Sequence, residues 1–230
     1  MNRHKLVLLT VMFAFFGLAV TSHIFAEQGE PEKVRFRWAF VAIKKQNGDE
    51  KLVRVTRDTT LKSGDQLKMY LELVTKCFVY VFYHGSKDEL RLLFPYDIEM
   101  FPADYDIPQK YYIPQGKFWL ELDENTGLEK FYLLGSAQRL SKLETLYGQY
   151  AAEADSTKQK ELANKVLNEV KSLKRQQTKL SITPERPTQI AGTVRGIDKD
   201  KERIQSDLSS MAIEVSATDL YSRTLKIDHQ

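Results

Sequence analysis

Leu67-Lys68-Met69-Tyr70-Leu71-Glu72-Leu73-Val74, followed closely by Cys77-Phe78-Val79-Tyr80-Val81-Phe82-Tyr83, decides the fold class. In the first stretch apolar and polar side chains alternate with a period of two. That places Leu67, Met69, Leu71 and Leu73 inward and Lys68, Tyr70 and Glu72 outward, the pattern of a half-buried strand. The second stretch is apolar on both faces and rich in β-branched and aromatic residues, as expected of a central strand covered on both sides. Cys77 is the only cysteine, so no intramolecular disulfide can form and an apolar core must hold the domain. A small buried hydrophobe is its expected role.

Working outward, the same signals recur. Phe36, Trp38, Phe40 and Ala42 share one face of a strand over 34–43, with Arg35 and Arg37 starting the other. Asn47-Gly48 follows, a pair suited to a hairpin turn, and Leu52-Val53-Arg54-Val55 supplies the return strand; a turn of four or more residues is expected. Ser63-Gly64-Asp65 marks a second turn. Leu90, Leu92 and Phe94 resume alternation, and Phe118, Leu120 and Leu122 form another face. Gly127 then precedes a strand at Phe131-Tyr132-Leu133-Leu134.

After Ser136 the period changes. Leu140, Leu143, Tyr147 and Tyr150 recur at helical spacing. Ser156 with Gln159 three residues on predicts a capping box. It opens a second helix whose stripe is Leu162, Val166, Val170 and Leu173. Pro184 and Pro187 end the helical part, and strands are expected over 188–194, 211–215 and 225–227. The order predicts an antiparallel β-sandwich, Ig-like in general architecture, with an inserted or appended α-helical hairpin. The expected divisions are 1–26, 27–33, a sandwich core at 34–136, the hairpin at 137–180, and strands at 181–230 that complete the sandwich.

The first residues set the compartment. Arg3 and Lys5 precede an apolar run over 6–20, and Ile24-Phe25-Ala26 leads into Glu27. A basic start, a short apolar run and a small residue at the cut form a secretory signal, with cleavage after Ala26. An uncleaved anchor is the alternative, although the run falls short of the roughly 20 apolar residues a span needs. Either way a periplasmic or secreted location is expected, with membrane contact only through this segment if it is kept. The whole chain carries 34 basic and 31 acidic residues, for a net charge of +3. Nothing in that balance suggests nucleic acid as a partner, which would demand a concentrated basic face, and none is expected.

Four stretches in order resemble a bacterial family known only as domain of unknown function 4384. They are Leu61-Lys62-Ser63-Gly64-Asp65-Gln66-Leu67, Phe78-Val79-Tyr80-Val81-Phe82, Leu92-Leu93-Phe94-Pro95, and Tyr112-Ile113-Pro114 with Gly127-Leu128-Glu129-Lys130 through Ser136. The resemblance runs over about residues 35–140. Similar domains occur alone in exported proteins or joined to kinases and caspase-like proteases, which implies an accessory recognition role. The family has no assigned catalytic residues to carry over.

The residues themselves offer little chemistry. His84 is expected to be a solvated turn residue and His229 a frayed terminal one. Neither has zinc-ligand spacing around it, and no metal or cofactor is expected. A Ser-His-acid triad would have to recruit one of these histidines, and no Gly-x-Ser-x-Gly elbow is present. Asp97, Glu99, Asp104 and Asp106, and then Asp123-Glu124, read as solvated loop acids. Lys171, Lys174, Arg175 and Lys179 suit the C-terminal half of a helix.

The remaining candidate is the Pro/Tyr-rich connection over 94–116, too long for a plain loop. Its residues Tyr96, Phe101, Asp104, Tyr105, Asp106, Tyr111 and Tyr112 are the candidate binding set, with Tyr105 and Tyr111 as anchors. The competing reading folds these rings back as a lid on the core. The expected function is an exported, non-catalytic recognition or assembly module of the cell envelope that binds protein or polymer. Its rivals are a hydrolase using a loop carboxylate pair and a structural subunit docking through its amphipathic helices.

Overall fold

A computed structural model of the chain describes residues 34–46, 49–103, 107–180, 185–187 and 208–230. The expected signal segment, the leader and the strand at 188–194 lie outside the described residues. So do Asn47 and Gly48.

Strong β-formers in alternation give β1 (Val34–Gln46), β2 (Asp49–Arg54), β3 (Thr59–Leu61), β4 (Gln66–Leu73), β5 (Phe78–His84) and β6 (Leu90–Phe94). A single turn, α1 (Met100–Ala103), precedes β7 (Gln109–Ile113), β8 (Leu120–Glu121) and β9 (Gly127–Ser136). Two helices follow, α2 (Ser141–Ala152) and α3 (Ser156–Leu180). Then come β10 (Glu185–Pro187), β11 (Ile213–Ala217) and β12 (Leu220–His229). The chain is mostly β.

The strands form two sheets. One runs β10-β11-β1-β4-β7, with β2 also on β1 and β8 also on β4; the other runs β3-β12-β9-β5-β6. All pairs are antiparallel except β12 with β3, which is parallel. Gln46 pairs with Asp49, so only Asn47 and Gly48 lie between β1 and β2. The connection is shorter than the four-residue turn expected from the sequence, because alternation continues through Lys44 and Lys45 with polar side chains.

The sheets face each other across a core of aromatic pairs. Phe40 lies 4.8 Å from Phe131, and Phe36 meets Tyr221 edge-on at 5.5 Å. Gly135 allows a close approach: a Cβ there would stand 2.5 Å from the Phe36 ring. Leu67, Met69, Leu71 and Leu73 are buried as their alternation predicts.

Their neighbours depart from it. Lys68 and Tyr70, expected in solvent, are buried on the outer face of the seven-stranded sheet. There Tyr70 joins a second cluster with Ala39, Val41, Ile43 and Leu208. The Lys68 ammonium donates to the carbonyls of Gly116 and Phe118, at 2.7 and 2.6 Å, which replace water around it. It also sits 5.6 Å from the Trp119 ring. Glu72 is half-buried too, accepting from Tyr70 O–H at 2.9 Å and facing Arg37 at 3.5 Å.

The helical hairpin covers the five-stranded sheet. Val166, Val170 and Leu173 are buried there, while Leu162 is half-exposed. The cap of α3 is Asp155, one residue before the expected Ser156. Its carboxylate accepts from the N–H groups of Thr157 and Lys158, each at 2.9 Å. In α2, Tyr147 and Tyr150 accept from the N–H groups of Leu92 and Leu90, at 3.0 and 3.2 Å. These hydroxyls satisfy the outer edge of β6, which would otherwise offer unpaired donors. Beyond the helices, β11 pairs with β1 and β12 with β9, so the chain returns to both sheets.

Candidate functional site

Two constellations stand out, one at the outer edge of β7 and one where β12 ends. The first begins with local chemistry. Gln109-Lys110-Tyr111-Tyr112-Ile113 is a β-prone run between Pro108 and Pro114. It forms β7, the last strand of its sheet beside β4. The Pro/Tyr-rich connection is therefore not all loop. Prolines sit outside a short edge strand because they cannot donate to a ladder.

Of the candidate binding residues, Tyr96, Tyr111 and Tyr112 come together and Phe101 turns away. Tyr96 donates its O–H to the Tyr112 carbonyl at 2.7 Å, and burial pushes that hydroxyl's pKa up to about 12. Tyr111 is only 7% exposed and packs 4.9 Å from Phe94. Its ring is core, so it forms the floor of the site rather than a projecting anchor. Phe101 is buried between Phe78 and Tyr80, at 5.2 Å from each ring, with the Arg139 guanidinium over its face. It acts as a lid on the sandwich. Tyr112 is half-buried beside Tyr70. Asp104, Tyr105 and Asp106 lie outside the described residues.

Around Tyr96, Met100, Lys110, Tyr112 and Gln115 opens a shallow groove of about 580 Å³. Phe118, 76% exposed, and Ile107, 46% exposed, lie on the segments that flank β7. Large apolar side chains in water near a groove mark a surface that gains by being covered.

The second constellation escaped the sequence reading. His229 is not frayed: it is 2% exposed at the end of β12, held against Leu61 of β3. Its Nδ1 lies 3.1 Å from Glu129 Oε1, and its Nε2 lies 3.1 Å from Ser63 Oγ. Serine, histidine and a buried carboxylate thus follow one another in the order of a catalytic triad. Burial raises the Glu129 pKa against the opposing pull of the His229 bond.

A triad also needs donors for the oxyanion that forms on attack. Here the N–H of Ser63 goes to the Gln230 carbonyl, that of Gly64 to Leu122, and that of Asp65 to Lys62. Every main-chain donor of the turn is engaged. Gly64, at φ +83°, and Asp65, whose carboxylate accepts from the N–H groups of Lys45 and Lys62 at 3.0 Å each, fold this turn tightly. The arrangement latches the C-terminal strand to the turn.

Other expectations resolve as structure. Cys77 is buried, and burial pushes its thiol up to about 11. His84 ends β5 half-buried, with burial lowering its pKa, and Asp88 stands 3.5 Å away. Asp123 receives both the backbone N–H and the side-chain amide of Asn125, bonds that lower its pKa. Among the described residues no acid-histidine-cysteine cluster could hold a metal ion. No helix of the described residues is long and apolar enough to cross a membrane.

Residues 60–139 match the family described as domain of unknown function, DUF4384. The DUF4384 segment runs from β3 through β9 and includes the Ser63-Gly64-Asp65 turn, the β7 edge and Glu129. It leaves out β1, β11, β12 and both long helices, a narrower span than the resemblance over 35–140. Comparison with curated proteins and with solved structures finds no match.

Proposed function

We propose that the protein is an exported, non-catalytic recognition or assembly module of the bacterial cell envelope, periplasmic or secreted, which binds a protein partner along β7. The observation that carries this reading is the groove at a sheet edge that no other described strand covers, with exposed Ile107 and Phe118 on the segments before and after β7. The opposite sheet's β6 edge has two main-chain N–H groups closed by tyrosine hydroxyls, whereas on β7 Tyr96 donates to the Tyr112 carbonyl and the outward N–H groups stay open among the described residues. The full engagement of donors around Ser63 supports a binding rather than a hydrolytic role. The apolar stripe of α3 is used inside the molecule, which favours β7 over the helices as the docking element. Export rests on the three-zone layout of residues 1–26.

A photo-crosslinking side chain placed at Gln115, expressed with the full chain, tests the reading. A discrete adduct in the envelope fraction is expected from Gln115 and none from Lys160 on the exposed side of α3. Adducts of equal yield at both positions, or none at either, would overturn it.

A further inference from the structure

The direction of main-chain groups in the seven-stranded sheet follows from a few bonds. Arg35 C=O accepts from Val74 and Thr75 beyond β4, whereas Phe40 C=O accepts from Val55 beyond β2. Odd residues of β1 therefore face β4 and even ones face away. Arg37, Ala39, Val41 and Ile43 pair with Glu72, Tyr70, Lys68 and Gln66, so Met69, Leu71 and Leu73 are the β4 residues that turn to β7. Their partners are Ile113, Tyr111 and Gln109. Lys110 and Tyr112 are left pointing off the sheet, and the Tyr96 bond to the Tyr112 carbonyl agrees with that direction. The N–H and C=O of Lys110 and the N–H of Tyr112 find no partner among the described residues.

We infer that this edge pairs antiparallel with the same edge of a second copy of the chain. The inference rests on the reading of β7 as a recognition surface and names its occupant. The register is self-complementary. A two-fold axis through Tyr111 sets Lys110 opposite Tyr112 of the copy, and the reverse. Each such pair exchanges both main-chain bonds, as the closely spaced pairs of an antiparallel ladder do. A carbonyl oxygen has two lone pairs, so Tyr112 accepts the new bond without losing Tyr96.

Side chains fit the same register. Lys110 meets a tyrosine ring, a favourable cation–π pairing, and no lysine faces a lysine. Two-fold closure uses up the edge on both chains and stops at the dimer.

Sedimentation analysis of the folded chain across a wide concentration range, with amide exchange in parallel, tests this. The wild type is expected to sediment as a dimer at high concentration, and exchange at Lys110 and Tyr112 is expected to slow as concentration rises. Lys110→Pro removes an N–H that takes no part in the β4 ladder, so it should keep its melting temperature. Its dimer dissociation constant should rise about tenfold or more, since each dimer loses two main-chain bonds. Lys110→Ala, which keeps the N–H, should lose far less.

A chain that is monomeric at every concentration would overturn the dimer, as would exchange at Lys110 and Tyr112 that ignores concentration. Equal losses from Lys110→Pro and Lys110→Ala would overturn main-chain pairing. A monomer that still gives the Gln115 adduct leaves the recognition reading standing, with a foreign strand as occupant.

Discussion

Glu129 Oε1 lies 3.1 Å from His229 Nδ1, joining two buried side chains 100 positions apart in sequence. Their contact, extended to Ser63, fixes the end of β12 against the turn before β4. The pH behaviour of that join follows from Glu129. Burial raises its carboxyl above the ordinary value of 4.5. Just above that value the folded chain keeps a proton that the unfolded chain has released. Stability from this site is thus present at low pH and is lost as pH rises through the window above 4.5. Melting curves of wild type and Glu129→Gln at several pH values should show the wild type losing ground to the variant as pH rises. A gap moving the other way would refute the assignment.

Ser63 is expected to be chemically ordinary. Incubation with a fluorophosphonate should leave it unlabelled, and Ser63→Ala should cost about 1 kcal/mol, the worth of one hydrogen bond. Stoichiometric labelling at Ser63, read by mass spectrometry, would revive the catalytic reading.

The tyrosine caps on β6 make a local prediction. Tyr147→Phe and Tyr150→Phe each remove one acceptor from a strand edge. Each should cost about 1 kcal/mol, and amide exchange should speed up at Leu92 and Leu90 respectively. Acceleration spread evenly over β5 and β6 would show that the effect is not edge capping.

In the core, Leu71→Asp should destabilise by more than about 4 kcal/mol, because an unpaired charge enters a fully buried site. Glu72→Lys is not neutral, as outward alternation alone would have it. It removes the acceptor of Tyr70 and sets a lysine beside Arg37. A loss of about 1–3 kcal/mol is expected in thermal or urea melts, from an unsatisfied buried hydroxyl.

Cys77 should resist alkylation. A thiol held up to about 11 by burial carries almost no thiolate at neutral pH. Iodoacetamide is expected to label it only after denaturation, by intact mass.

Legibility in the sequence followed the range of the interaction. Period-two alternation gave the inward faces of β1 and β4 correctly because one side of each strand is uniformly apolar. It misplaced Lys68 and Tyr70, since a lysine and a tyrosine look alike whether they face water or a second cluster of side chains. Prolines announced the connection over 94–116, but their spacing hid β7, whose edge position lets Pro108 and Pro114 sit right beside it. The Ser63–Glu129–His229 join was invisible because no local spacing links three residues brought together only by strand pairing. The groove's Tyr96 and Tyr112 were legible as aromatic residues in a long connection; the lid reading covered the inward turn of Phe101, but nothing local singled that ring out from its neighbours.

Strand β12 lies between β3 and β9, and β1 lies between β4 and β11. Neither β1 nor β12 belongs to residues 60–139. An excised 60–139 fragment would present bare flanks at β3, β4 and β9, with Phe131 and Gly135 facing water where Phe40 and Phe36 now stand. The segment that matches the family is thus smaller than the set of strands that pair in this chain. Fragments cut at the family boundary should aggregate, whereas a cut made before Val34 keeps every described strand.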